Sequence, residues 1–289
     1  MLMVRKFWRN FKHGYYPKYL QNHLFDVVES YNNSFDPTEI QWNSYYLERY
    51  WEKESRLCRV HWLHSMNNVR IPAIYETYFT PNHLTDYTKL KPREEFKKMK
   101  ILDIGCGGGI CSEALARLDF NVTGIDPDPH MIFVAELHAK EIPEMKGKQL
   151  KYIKTTVDDF HEENRGKYDA IVISEVLERL PHNKKRKFLE KCINCLKIDG
   201  DVFITTRNKT FSSLYRIFVF GLSNRCEFYY HVWSRGISTY LLKTHLTSCG
   251  CDVKHVKGLQ YDGEDRSFRF TDDLDEWYFV HAVKKRLII

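Results

Sequence analysis

The stretch KILDIGCGGGI, residues 100–110, followed by NVTGID, residues 121–126, decides the fold of this 289-residue chain. The first begins as a short apolar run and ends in a cluster of glycines, after which apolar positions recur at helical spacing from Ile110 to Leu118. The second is another short β-branched run, closed by an acid. The same texture repeats outward. A helical pattern covers Pro129 to Lys140, and LKYIKT (150–155) and YDAIVIS (168–174) read as strands. A helix from Asn183 to Leu196 precedes the strand DVFITT (201–206), and a helix from Ser238 to Ser248 precedes the runs CDVKHVKG (251–258) and EWYFVHAVK (276–284). Strand and helix alternating in this way predict an α/β fold, a Rossmann-like, mostly parallel sheet with helices on both faces. Ligands in such sheets sit at the carboxyl ends of the strands.

Upstream, residues 26–95 read as an N-terminal helical segment. Asp36 and Pro37 supply a cap and a first-turn signal, Ile40, Tyr45, Leu47, Tyr50 and Trp51 follow, and a second apolar pattern runs from Val69 to Phe79. Pro81, Pro92 and the Lys97-Lys98 pair mark the boundary, so the α/β domain is expected over 96–289. Residues 1–25 hold no acid, while Arg5, Lys6, Arg9, Lys12 and Lys18 interleave with Val4, Phe7, Trp8, Phe11 and Tyr15. That pattern reads as a mitochondrial presequence or as a solvated basic segment.

With 43% hydrophobic and 28% charged residues, the composition excludes a disordered, collagen-like or coiled-coil chain. No stretch reaches the roughly 20 apolar residues of a spanning helix; Leu214 to Leu222 is too short and carries Arg216. A net charge of +6 permits nucleic acid or anionic lipid as partners and requires neither. Eight cysteines without a secretory signal read as free thiols. Cys192 and Cys195 form a CxxC, yet they share an apolar helical face with Phe188, Leu189 and Leu196, which favours a core pair over a zinc or redox pair. Cys249 and Cys251 get the same reading.

Three details narrow what the glycine loop holds. The dinucleotide pattern GxGxxG fails, because Ile110 stands where the third glycine belongs. Asp103, two residues before Gly105, opposes a phosphate and favours a cation. Asp126 follows Gly105 by 21 residues, where an acid takes both ribose hydroxyls. An adenosine joined to a cationic group describes S-adenosylmethionine; the plain alternative is a tight turn with two solvated aspartates. After Ser174, Glu175 and Glu178 are three apart and share a face if a helical turn begins there. Two carboxylates facing the cleft suit a hard divalent cation such as magnesium. The alternative is an acidic first turn favoured by the helix dipole, with Arg179 paired to a carboxylate.

These motifs resemble the ubiquinone-biosynthesis O-methyltransferases, class I methyltransferases that act on polyprenylated catechols. The resemblance runs from about residue 60 to 209 through LHSMNNVRIP (63–72), ILDIGCGGG (101–109), VTGIDP (122–127), SEVLE (174–178) and ITTRNKT (204–210). It implies that Arg70 meets the cofactor, plausibly at its carboxylate, since arginine offers a bidentate fork. It implies further that Gly105, Gly107, Asp126 and Ser174 complete the cofactor site, with Asp103 beside them. The family writes Glu-x-x-Glu-His for its metal site, and here Arg179 replaces the histidine, which no guanidinium can do as a ligand. The family's Gly-Thr-His-x-Trp stretch becomes Tyr229-Tyr230-His231-Val232-Trp233, leaving His231 as a weak candidate proton acceptor beside its reading as a structural histidine.

The resemblance also implies a polyprenylated phenolic substrate, peripheral contact with the matrix side of the mitochondrial inner membrane and membership of a multi-enzyme complex. Phe211, Leu214, Tyr215, Ile217, Phe218 and Leu222 with Arg216 suit an interfacial segment or a helix covering the substrate cleft. Two rivals stand. One is an RNA methyltransferase, suggested by Lys184-Lys185-Arg186-Lys187, a run that reads more simply as a solvated helix face; no nucleic acid partner is expected. The other is a diverged paralogue that keeps the fold and scaffolds a complex, for which Arg179 and the lost Gly-Thr speak.

Overall fold

Strand β1 (Lys100–Ile104) is buried on both faces after its first residue, as a central strand of a parallel sheet covered by helices must be. The structure, a computed structural model, describes residues 50–51, 58–78, 90–214 and 235–285. The readings placed on residues 1–49, on 81–89, on 215–222 and on Tyr229 to Trp233, His231 included, lie outside the described residues.

After β1 come α2 (Ile110–Arg117), β2 (Asn121–Asp126), α3 (Pro129–Glu141), β3 (Leu150–Lys154), α4 (Val157–Phe160), β4 (Tyr168–Ser174), α5 (His182–Asn194), β5 (Leu196–Arg207), α6 (Thr239–Ser248), β6 (Cys251–Asp262), β7 (Ser267–Thr271) and β8 (Trp277–Lys284), all preceded by α1 (Cys58–Tyr78). The eight strands form one sheet in the order β3-β2-β1-β4-β5-β8-β6-β7. β1 to β5 pair in parallel, whereas β8 runs antiparallel to both β5 and β6. The order reverses between β1 and β4, and the crevice there is where a ligand belongs.

Side chains alternate between two cores, as successive residues of a strand must. Ile101, Ala170, Val172 and Phe203 face α1 and α2 through Met66, Ile71, Ile74 and Leu115. Leu102, Ile171, Ile173, Val202 and Ile204 face α4, α5 and α6 through Val157, Leu189, Cys192, Leu242 and Leu246. Helix starts follow local chemistry: Asp128 caps α3 by accepting from the His130 amide at 2.8 Å ahead of Pro129, and Ser238 caps α6 through the Leu241 amide.

The sequence left β7 unread, along with the short α4 and the start of β5 at Leu196. β7 alternates Ser267, Arg269 and Thr271 with Phe268 and Phe270, so its apolar signal is only two residues, and it is held by pairing with β6. Cys106, Cys111, Cys192, Cys195, Cys249 and Cys251 are free and buried, and burial raises the thiols of Cys192 and Cys195, which makes them core residues. No described helix is long and apolar enough to cross a membrane.

The far end of α1 is pinned to the sheet by a polar link. Tyr78 donates its hydroxyl to Asp201 at 2.7 Å, and His281 meets the other oxygen of Asp201 at 2.6 Å. Tyr78→Phe removes a bond to a buried carboxylate and is expected to cost about 1–2 kcal/mol, read as a lower denaturation midpoint with unchanged cofactor affinity.

Candidate active site

The glycine loop turns because its glycines adopt positive φ, +73° at Gly105, +53° at Gly107 and +90° at Gly109, a region closed to most L residues. Space is equally restrictive. A Cβ on Gly105 would lie 2.5 Å from Val176, and on Gly108 2.5 Å from the Tyr50 ring. The loop is stitched to β2, with the amides of Gly105 and Cys106 donating to the Ile125 carbonyl. The Gly107 amide donates to Asp126 at 3.0 Å, and the Asp128 amide takes the other Asp126 oxygen at 2.9 Å. Asp126 thus stands at the mouth of the loop with lone pairs left for further donors. Burial pushes its carboxyl up to about 6, against the two amide bonds that favour the ionised form.

Asp103 lies deeper than its sequence reading implies. It is 1% exposed and accepts the Ser112 hydroxyl at 2.6 Å, so its direct contact is with α2. Arg70 is the nearby positive charge that offsets its burial. The carboxylate ties the end of β1 to α2.

Arg70 is 2% exposed. Its Nε donates to Asn67 Oδ1 at 2.5 Å and Nη2 to the Leu63 carbonyl at 3.1 Å, while Nη1 is buried without a hydrogen-bond partner among the described residues. An orphaned guanidinium nitrogen beside a glycine cradle fits the carboxylate of S-adenosylmethionine. Asn67 escaped the sequence reading, although it lies three residues before Arg70 in the same quoted segment. Its amide also donates to the Ile110 carbonyl at 3.0 Å, which locks α1 to the start of α2. Tyr50, read only as an apolar helix position, covers Gly107 and Gly108; its neighbour Trp51 stacks on His138 with ring centroids 3.5 Å apart.

β4 pairs with both β1 and β5, which brings the residues after Ser174 beside the loop. The expected helical turn is not there. Glu175 has φ +59°, and only Leu177–Arg179 forms a 3-10 turn. Glu175 therefore has a strained left-handed backbone ahead of the 3-10 turn that carries Glu178, and the two do not share a helix face. Such a backbone costs about 1–2 kcal/mol for an L residue and is held by bonds from the Glu175 amide to the Thr205 carbonyl at 3.0 Å and from Arg179 Nε to the Glu175 carbonyl at 3.1 Å. Arg179 is exposed, and its hydrogen bond is to this carbonyl; among the described residues it forms no ion pair with Glu175 or Glu178.

Both oxygens of Glu175, Oε1 of Glu178, Oγ of Ser174 and Oγ1 of Thr205 are buried without a hydrogen-bond partner among the described residues. Glu178 Oε2 accepts the Thr206 hydroxyl at 2.8 Å. Burial first, then the charge of Glu178, raises the Glu175 carboxyl well above the ordinary range. A patch of unmatched hard oxygens is chemically suited to a divalent cation completed by water. No group of three or more His, Cys, Asp or Glu with metal-site geometry occurs among the described residues.

A doubly wound sheet with this switch point, glycine loop and ribose-side acid defines a class I methyltransferase. The family described as a methyltransferase domain matches residues 79–248. The ubiquinone biosynthesis O-methyltransferase of Rattus norvegicus, named mitochondrial, is 32% identical over 259 residues, covering 89% of this chain and 72% of that protein. The Vibrio campbellii enzyme of the same name is 30% identical, covering 86% and 97%. The Homo sapiens relative is 34% identical, and the chain spans 59% of its length. Magnesium protoporphyrin IX methyltransferase from Synechocystis PCC 6803, solved with bound S-adenosylhomocysteine, has the same fold at TM-score 0.59 and 16% identity, covering 84% of this chain and 95% of that one. The chain belongs to the ubiquinone biosynthesis O-methyltransferase family, whose methyltransferase domain uses S-adenosylmethionine.

Truncating a buried charged partner typically costs about 2–5 kcal/mol, so Arg70→Ala is expected to weaken S-adenosylmethionine binding by at least thirtyfold in calorimetry, with the far-UV spectrum unchanged. Affinity also depends on pH through Asp126. Its acceptor form prevails above about 6, so binding is expected to fall toward tenfold per pH unit below that value, a slope that Asp126→Asn removes.

Proposed function

We propose that the chain transfers a methyl group from S-adenosylmethionine to a phenolic hydroxyl of a polyprenylated catechol in ubiquinone biosynthesis, in the mitochondrion. The observation that supports this best is the juxtaposition of the orphaned Arg70 nitrogen and the glycine cradle with the unmatched oxygens of Glu175, Glu178 and Thr205. When bound, S-adenosylmethionine supplies an electrophilic methyl on a sulfonium.

The chain's own residues then have three tasks. Arg70, Gly105, Gly107 and Asp126 would hold the cofactor at its carboxylate end and its ribose end, which a displacement needs because its rate depends on how the two reacting groups are oriented. Asp103, under the loop, favours the positive sulfur over its neutral product. Glu175 and Glu178 make the acceptor oxygen electron-rich. A phenol ionises near pH 10, and removing its proton at pH 7 costs about 4 kcal/mol. A magnesium ion would be held by Glu175 and Glu178 with the Thr205 hydroxyl, and its chemistry there is to lower the phenol's pKa.

Burial of both glutamates limits the access of bulk water to this step. A prenyl tail needs an apolar route to the site, and we assign that to residues 211–222 at a membrane surface, of which Phe211 is described and exposed. The relatives' names point to a shared pathway, and contact with other enzymes of that pathway completes the proposal. The basic run Lys184–Lys187 is not a continuous surface patch, since Lys185 is buried, which weighs against RNA.

Glu178→Ala is expected to lower turnover on a prenylated catechol by a hundredfold or more while S-adenosylmethionine binds within a factor of three of wild type. Unchanged turnover in that variant would sink the role given to the acid pair.

A further inference from the structure

Of the four cations that open α5, Lys184, Arg186 and Lys187 are exposed and Lys185 is fully buried. The reading of the run as a solvated face therefore fails at one position. Residue 185 precedes Leu189 by one turn and Cys192 by two, so it falls on the stripe that α5 presents to the core. A lysine placed there must find compensation for its charge, because an unmatched buried ammonium is too costly to keep.

Its hydrogen bonding leads to the active site. Lys185 Nζ donates to the Arg235 carbonyl, Arg235 Nη1 donates to the Arg179 carbonyl at 3.3 Å, and Arg179 Nε donates to the Glu175 carbonyl at 3.1 Å. Each of the three cations donates to a backbone oxygen, and the series ends on Glu175, the first member of the acid pair. The attractive charge acting on Lys185 is that of Glu178, opposed by Lys209 and Arg235. Burial lowers the ammonium to about 8, which leaves it mostly charged at pH 7. Glu178 is itself 4% exposed and held by Thr206 through one oxygen.

We propose that Lys185 is a positioning residue of the active site, a buried positive charge behind Glu178 that sets how tightly the Glu175–Glu178 pair takes a divalent cation. The inference rests on the reading of the pair as a cation site. With Arg179 in the place of a third ligand, a fixed positive charge behind Glu178 competes with the ion and leaves a weak site. If Lys185 served only to satisfy the Arg235 carbonyl, a neutral donor of similar length would do as well.

The test is a manganese titration of the full chain at pH 7 and low salt, read by electron paramagnetic resonance. It compares wild type, Lys185→Gln, Lys185→Arg and Lys187→Gln, with S-adenosylmethionine affinity measured on the same samples. Removing a nearby positive charge is expected to tighten manganese binding about tenfold in Lys185→Gln. Lys185→Arg, which keeps the charge, and Lys187→Gln, which removes an exposed one, are expected to stay within threefold of wild type. Equal manganese affinity in wild type and Lys185→Gln, or no manganese bound by either, overturns the proposal. Lys185→Met, apolar and of similar length, gives the same readout should the glutamine variant fold poorly. Turnover does not enter the measurement, so a failure on catechol substrates is a separate result.

Discussion

The hydrogen bond from the Gly107 amide to Asp126 is the constraint on which the cofactor site rests. It joins the ends of β1 and β2 through a loop whose glycines have positive φ, and it leaves no room for a Cβ beneath Val176 and Tyr50. The loop's amides, the Asp126 carboxylate and the start of α2 are therefore placed by backbone geometry and need little from flexible side chains. Placement of this kind is what a transfer reaction needs, since its rate depends on near-attack geometry more than on any single contact.

Arg70 shows how an element far from the loop is drawn into the site. α1 crosses the sheet face from Leu63 to Tyr78, anchored at one end by Asn67 on the Ile110 carbonyl and at the other by Tyr78 on Asp201. Its buried guanidinium has two satisfied nitrogens and one that is not. That asymmetry is consistent with a group built to receive an anion, because a buried charge of no function would be expected to satisfy all its donors.

Much of the fold was legible because its strands are short β-branched runs bounded by glycine or acid, and because α2, α3 and α6 begin and end close to where their patterns do. The glycine loop and Asp126 stood out for the same reason, since strand ends in a doubly wound sheet are ligand positions whatever the ligand, whereas Ser174 was singled out by the resemblance. Arg70 was legible only through resemblance to a family, since a lone arginine in a helical pattern looks like a surface charge. The conformation of Glu175 was hidden, because a left-handed glutamate has no sequence signature; it is imposed by the Thr205 and Arg179 bonds to its backbone. Lys185 was misread for a different reason. Its position on the apolar stripe was visible, but the charged run around it outweighed a single helical register.

The resemblance implies a histidine where this chain has Arg179, and the account makes Glu175 and Glu178 sufficient without it. The most direct measurement is methyl transfer from labelled S-adenosylmethionine to a short-chain prenylated dihydroxybenzoate, with the protein first stripped by chelator and then given magnesium. The account predicts that turnover is lost on stripping and restored by magnesium. No turnover under either condition, with cofactor binding confirmed in the same sample, would contradict it and favour a diverged, scaffolding role.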